Sequence, residues 1–275
     1  MKKHFIINDD HLVPIVGDLS FNDINSNKLV IFCHGYKGFK DWGCWNLVAN
    51  LFADNGLKFL KFNFSHNGGT IDQPVDFPDL EAFSKNNYSL EVQDVSRIIK
   101  YIKESKELVF NFKELFIVGH SRGGGIAAIT AANEELITKL ITWASVSDFS
   151  SRFPDEKEIK EWEKHGVRYV ENQRTKQMMP HLFQFYTDFF QNKDKLSIQK
   201  SLNNFKGKTL ICHGSLDLAV HHENASNLHK WSTSSELYKI RTNHTFGAKH
   251  PWENDILPED LNQLCVKTIS FLNEE

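Results

Sequence analysis

Two short runs of this chain are apolar at every position: Leu29-Val30-Ile31-Phe32-Cys33 and Leu115-Phe116-Ile117-Val118. A strand with one face in water alternates apolar and polar residues. An unbroken run of β-branched and aromatic residues therefore reads as a strand covered on both faces, the condition of a parallel sheet wrapped by helices. Further strand-like runs occupy 57–64, 140–146, 209–212 and 236–240. Between them lie stretches with helical spacing. Residues 45–55 stop at Gly56, a residue suited to the left-handed position after a helix. Residues 88–105 place Leu90, Val92, Val95, Ile98, Ile99 and Ile102 on one face. Residues 123–133 and 261–272 are two more helices. This alternation predicts an α/β fold: a mostly parallel central sheet with helices on both faces.

One stretch breaks the rhythm. Between 146 and 209 lie roughly sixty residues, about twice what a strand-to-strand crossover needs, with helical patterning and many charges. The expected organisation is a core domain built from 1–147 and 207–275, with 148–206 inserted as a helical lid over one edge of the sheet. The formal charge of −3 gives no basic footprint for nucleic acid. No apolar run approaches the ~18–20 residues of a membrane span, so neither nucleic acid nor membrane is an expected partner. Met1-Lys2-Lys3 is followed only by Phe5-Ile6-Ile7, too short for a signal-peptide core of about 7–15 residues. Cys33, Cys44, Cys212 and Cys265 form no C-x-x-C pair and read as reduced thiols, which places the expected location in the cytoplasm.

The chemistry-bearing segment is Gly119-His120-Ser121-Arg122-Gly123, which follows an apolar strand and precedes a small-residue helix. That is the context of a G-x-S-x-G nucleophile elbow. A serine on a strained strand-to-helix turn needs neighbours without side chains, so that strand and helix can approach. Its place at a helix N-terminus also puts backbone N–H donors beside any oxyanion.

On these residues the chain resembles the α/β-hydrolase family over nearly its whole length, and within it small bacterial carboxylesterases of the feruloyl or cinnamoyl type. The resemblance implies a triad in the order Ser, acid, His. The chain holds 13 histidines, but of those after Ser121 only His244 and His250 follow the last strand. His244, in Thr242-Asn243-His244-Thr245-Phe246-Gly247, stands where the family places its base. His250 is the rival, better suited to packing its loop. Such esterases often carry Asp before the base, whereas this chain has Asn243. The implied acid is Asp217, in the turn after 209–212; Asp148, past the preceding strand, is the alternative. His34-Gly35-Tyr36-Lys37-Gly38 resembles the family's oxyanion loop, which implies backbone donors from Tyr36 and Arg122. His34 and His120 read as supports for the loop and the elbow.

Together these parts imply a serine hydrolase that cleaves a carboxylic ester of a small molecule through an acyl-enzyme on Ser121, with no cofactor and no metal. His221-His222-Glu223 lacks the H-E-x-x-H spacing of a zinc site and reads as a helix start. A small acyl-peptidase or thioesterase would use the same triad, and a catalytically silent binding protein would keep the same fold. In the insertion, Leu182, Phe185, Tyr186 and Phe189 share a helical spacing. These rings bury the lid on the body, and Phe185 and Phe189 are the candidates for an acyl pocket.

Overall fold

The structure, a computed structural model, describes residues 1–9 and 11–274. In chain order the strands are β1 (Lys2–Ile7), β2 (Ile15–Ser20), β3 (Lys28–Cys33), β4 (Lys58–Phe62), β5 (Glu114–His120), β6 (Ile137–Trp143), β7 (Val167–Glu171), β8 (Met178–Leu182), β9 (Lys208–Gly214) and β10 (Ser235–Ile240). The helices are α1 (Trp45–Asp54), α2 (Leu80–Ser84), α3 (Tyr88–Glu104), α4 (Arg122–Asn133), α5 (Glu156–His165), α6 (Gln184–Gln191), α7 (Ile198–Asn204), α8 (Glu223–Trp231) and α9 (Glu259–Asn273). Eight strands form one sheet in the order β1-β2-β4-β3-β5-β6-β9-β10 among the described residues. Strands β1 and β2 run antiparallel at one edge, and the others are parallel.

The two fully apolar runs are neighbours at the centre of that sheet, paired in register from Leu29↔Leu115 to Phe32↔Val118. Alternation then divides their side chains between two cores. Leu29, Ile31, Leu115 and Ile117 pack with α3 and α4 on one face. Val30, Phe32, Phe116 and Val118 pack with α1 and α9 on the other. A strand read as buried on both faces is so because helices cover both. The last turn of α9 is held by Lys139 of β6, whose ammonium donates to the Phe271, Leu272 and Glu274 carbonyls.

Three features differ from the sequence reading. First, β6 spans Ile137–Trp143 rather than 140–146; the chain leaves the sheet at Ala144, which takes a left-handed φ of 48°. Second, the N-terminal segment supplies β1 and β2, which bury only Phe5, Ile7, Ile15 and Leu19 as a short apolar period. Asp18 of β2 points inward and is paired instead of apolar: its Oδ2 accepts from Lys40 Nζ at 2.7 Å and Lys61 Nζ at 2.9 Å. Asp41 accepts from the same two ammoniums at 2.5 Å each.

Third, 148–206 is not purely helical and does not lie over an edge. It contains the antiparallel hairpin β7–β8, paired from Val167↔Leu182 to Glu171↔Met178. Asn172 accepts the Arg174 N–H to make the turn. The flanking strands β6 and β9 are adjacent inside the sheet. The segment returns over the α3–α4 face, with α6 against α3, α7 against α4 and β8 against α2. Leu182 ends β8, so the aromatic helix begins only at Gln184. Among the described residues no helix is long and apolar enough to cross a membrane.

Candidate active site

Strand β5 ends at His120 and α4 begins at Arg122, so the whole turn falls on Ser121. Its backbone sits at φ 56°, ψ −122°, a conformation that costs a side-chain-bearing residue about 1–3 kcal/mol. The turn is held because Ser121 N–H donates to Trp143 O at 2.9 Å and its carbonyl accepts from Gly124 N–H at 3.0 Å. The glycines flanking the serine are a steric requirement. A Cβ on Gly119 would lie 2.2 Å from Gly123 O, and one on Gly123 would lie 2.3 Å from Cys33 O.

As the first residue of α4, Arg122 has an N–H without an intrahelical partner. The loop after β3 meets it directly: a Cβ on Gly35 would be 3.0 Å from Ser121 Cβ, and Tyr36 follows at once. His34 fixes this loop. Phe64 N–H donates to its Nε2 at 3.3 Å, which leaves Nδ1–H to donate to Gly35 O at 2.9 Å. The side chains of the two expected donor residues also touch, with the Arg122 guanidinium 4.2 Å above the Tyr36 ring.

His244 lies in the loop after β10, and its Nδ1–H donates to Asp217 Oδ2 at 2.7 Å. The other oxygen of Asp217 accepts from Ala219 N–H at 2.8 Å and Val220 N–H at 2.9 Å. Burial alone would raise the Asp217 carboxyl, but the His244 hydrogen bond and charge and the two backbone donors hold it below its ordinary value. Asp148 lies elsewhere: its Oδ2 accepts from Ser150 Oγ and Ser151 N–H, both at 2.7 Å, and so closes the turn Ser150–Arg152. His250 accepts the Gly43 N–H at 2.8 Å and packs against Phe39 and Trp42. His222 occupies the position just before α8, without a side-chain cap.

Ser121 makes no side-chain cap of α4, and among the described residues it has no hydrogen bond to His244. That contact commonly tightens only once substrate is bound. Ser121 and His244 line two common cavities. One, of about 190 Å³, is walled by Gly35, Tyr36, Lys37, Trp42 and Trp45. The other, of about 240 Å³, is walled by Tyr88, Arg122, Val146, Phe149, Arg152 and Val220. A larger groove of about 740 Å³ runs between α3, α4 and α7 and contains none of these groups. Neither Phe185 nor Phe189 lines the cavities at Ser121. Both are buried, at 5% and 2% exposure, in the seam where α6 meets Tyr88 of α3 and Phe153.

The sequence matches the alpha/beta hydrolase fold family over residues 28–193, more than half of the chain. The chain belongs to the α/β-hydrolase family. No functionally curated protein matches it in sequence. Solved structures similar to it include Est1E from Butyrivibrio proteoclasticus with ferulic acid bound, at 16% identity and a TM-score of 0.72, covering 98% of this chain and 97% of that one. Alpha/beta hydrolase domain-containing protein 10 from mouse is similar at 15% identity and a TM-score of 0.72, covering 98% of each chain. A monoacylglycerol lipase from Paleococcus ferrophilus is similar at 13% identity and a TM-score of 0.67, covering 94% of this chain and 98% of that one. At such identities these likenesses speak for the fold.

Several residues of this α/β hydrolase take roles that its sequence did not announce. Asn243 accepts from Thr245 N–H at 3.2 Å and Gly247 N–H at 3.0 Å, which folds the loop that carries His244. A carboxylate could accept the same pair, so asparagine here keeps the turn without adding charge. His181 of β8 hydrogen-bonds the Tyr36 hydroxyl through Nε2 at 2.7 Å. Lys37 Nζ donates to Glu171 O at 3.1 Å. Both bonds tie the β7–β8 hairpin to the loop after β3 across more than a hundred residues, a separation no local pattern encodes.

Proposed function

We propose that this α/β hydrolase cleaves carboxylic esters of small molecules through an acyl-enzyme on Ser121. The observation that carries the reading is the 2.7 Å hydrogen bond from His244 Nδ1 to Asp217, beside a serine held at a strained helix N-terminus. Asp217 fixes the tautomer of His244, leaving Nε2 unprotonated to accept the Ser121 proton. Ser121 Oγ then attacks the carbonyl carbon. The resulting oxyanion receives the N–H groups of Arg122 and Tyr36, each such donor contributing about 2.7–4 kcal/mol to transition-state stabilisation. The tetrahedral intermediate expels the alcohol, which takes the proton from His244. Water, deprotonated by His244, repeats the attack, and the acid leaves with Ser121 restored.

Segment 148–206 acts in this reading as a cap that shapes the site. Its bonds from Glu171 O and His181 to the oxyanion loop support that role. The acyl-facing wall is assigned to Tyr88, Phe149, Val146 and Val220, which line the cavity at Ser121. The modest cavities of about 190 and 240 Å³ suit a small molecule.

The test is a panel of p-nitrophenyl esters, an acyl-CoA and an aminoacyl anilide, assayed with wild type and Ser121→Ala. The expected result is ester turnover with kcat/KM lowered by about 10⁴-fold or more in the variant. Preference for the thioester or the anilide would reassign the leaving group. A folded wild type that turns over none of them would favour a silent binding protein.

A further inference from the structure

We propose that the substrate of this site carries a carboxylate, and that Arg152 is the residue that recognises it. The inference rests on the reading of Ser121 as the reactive centre. Arg152 is the last residue of the turn that Asp148 closes, directly above the loop of Asp217. Its Nη1 donates to Ala219 O at 3.3 Å, and Ala219 N–H in turn donates to Asp217. The side chain is exposed, yet it lines the same cavity as Ser121 and His244.

The charges around Ser121 are one-sided. Cations line both of its cavities: Lys37 in one, Arg122 and Arg152 in the other. No Asp or Glu lines either cavity among the described residues. The whole chain carries −3, so this cationic lining is local. Arg122 is already compensated. Its guanidinium lies 3.2 Å from Glu91 and is covered by the rings of Tyr36, Tyr88 and Phe185. Lys37 is occupied by Glu171 O and sits 5.0 Å from the Tyr36 ring.

Arg152 differs from Arg122 in its lack of a charge partner, and from the Lys37 ammonium in its planar fork of donors. Among the described residues no carboxylate lies within ion-pair distance of it, and a single backbone carbonyl takes one of its five donors. A guanidinium is planar and always charged, and its paired N–H groups match the two oxygens of a carboxylate. Anchored through one nitrogen at the rim of the reactive cavity, it leaves the remainder of that fork for the substrate. The apolar wall of Val146, Phe149 and Val220 accommodates the carbon chain between the charge and the scissile bond.

The carboxylate has two possible sources, the acyl chain or the alcohol. Two pairs of esters separate them, and the members of each pair differ only in charge. The first pair is p-nitrophenyl hydrogen adipate and its methyl ester; the second is 4-acetoxybenzoate and its methyl ester. Wild type is expected to prefer the charged member of one pair by at least about tenfold in kcat/KM, the effect of one charge-assisted hydrogen bond. The preference should shrink as salt rises, because an exposed cation is screened. Arg152→Glu, an exposed change whose folding is checked by its thermal midpoint, should reverse the preference. Whichever pair shows the effect identifies the end that carries the charge. Equal rates within both pairs in wild type, or an unchanged ratio in Arg152→Glu, would overturn the proposal. Calorimetric binding of the charged and the neutral member of both pairs to Ser121→Ala reads the same preference without turnover. Absence of all turnover therefore counts against ester hydrolysis, while loss of the binding preference counts against Arg152.

Discussion

His244 is set apart from the other histidines near Ser121 by what its ring touches. His34, His120 and His181 are buried, and burial pushes their imidazoles down to about 4, 3 and 3. They stay neutral at physiological pH and serve as hydrogen-bonding struts; His120, for example, donates through Nε2 to the His244 carbonyl at 3.0 Å. His244 alone among these four reaches a carboxylate, Asp217. Asp217→Asn should therefore lower kcat by about 10⁴-fold, because the amide stabilises the wrong imidazole tautomer. Asp148→Asn should leave kcat within a few-fold, since that carboxylate only closes a turn. Steady-state kinetics on one ester checks both, and a large loss in Asp148→Asn would contradict the pairing. The proximity of Ser121, Asp217 and His244 was legible because each sits just past a strand end, where the chain's own punctuation points. The place of Arg152 was not legible, since its partner Ala219 is distant in sequence and the cavity it lines is assembled by six segments.

Among the elements, α4 and the inserted segment show opposite relations between pattern and structure. The glycines of α4 declare themselves, because no other residue allows Gly123 to pass Cys33 O so closely. The insertion misleads, because aromatic residues at helical spacing describe a buried seam and a pocket wall equally well. The difference lies in neighbours. Phe185 and Phe189 meet Tyr88 and Phe153, which arrive from α3 and from the segment after β6. Phe185→Ala is accordingly expected to cost about 3–5 kcal/mol of stability. Urea unfolding measures that loss, and relative rates on acyl chains of different length should stay in the wild-type order. Altered chain selectivity at full stability would return Phe185 to the pocket. The hairpin β7–β8 escaped the sequence reading because its strands are short and half-exposed, β7 shows no clean alternation, and the charged helix α5 precedes it.

For the whole molecule, topology was written in the apolar runs, but the sheet edge was not. Strand β2 buries charge as well as Ile15 and Leu19: Asp18, Lys61, Lys40 and Asp41 form an ion cluster that Lys2 and His4 also join at Asp18. Hydropathy reports such an edge poorly, because its short apolar period is interrupted by a buried carboxylate. Burial alone would raise the Asp18 carboxyl, but Lys61 and Lys40 hold it well below the usual carboxylate range. The unfolded chain therefore takes up this proton first as pH falls. The stability Asp18 contributes is complete above the ordinary carboxyl value of about 4 and is lost as pH drops below it. Urea midpoints should fall steeply below about pH 4. Asp18→Asn, which strands two buried ammoniums with Asp41, should cost about 3–5 kcal/mol at pH 7 and flatten that acid limb. A variant as stable as wild type would contradict the cluster's role.

The proposed nucleophile is Ser121, and the most direct measurement of it is covalent. Intact-protein and peptide mass spectrometry after exposure to a fluorophosphonate should find a single adduct on Ser121 in wild type. The adduct should vanish in Ser121→Ala and form far more slowly in His244→Ala. A folded wild type left unmodified, or an adduct that persists in Ser121→Ala, would contradict the account.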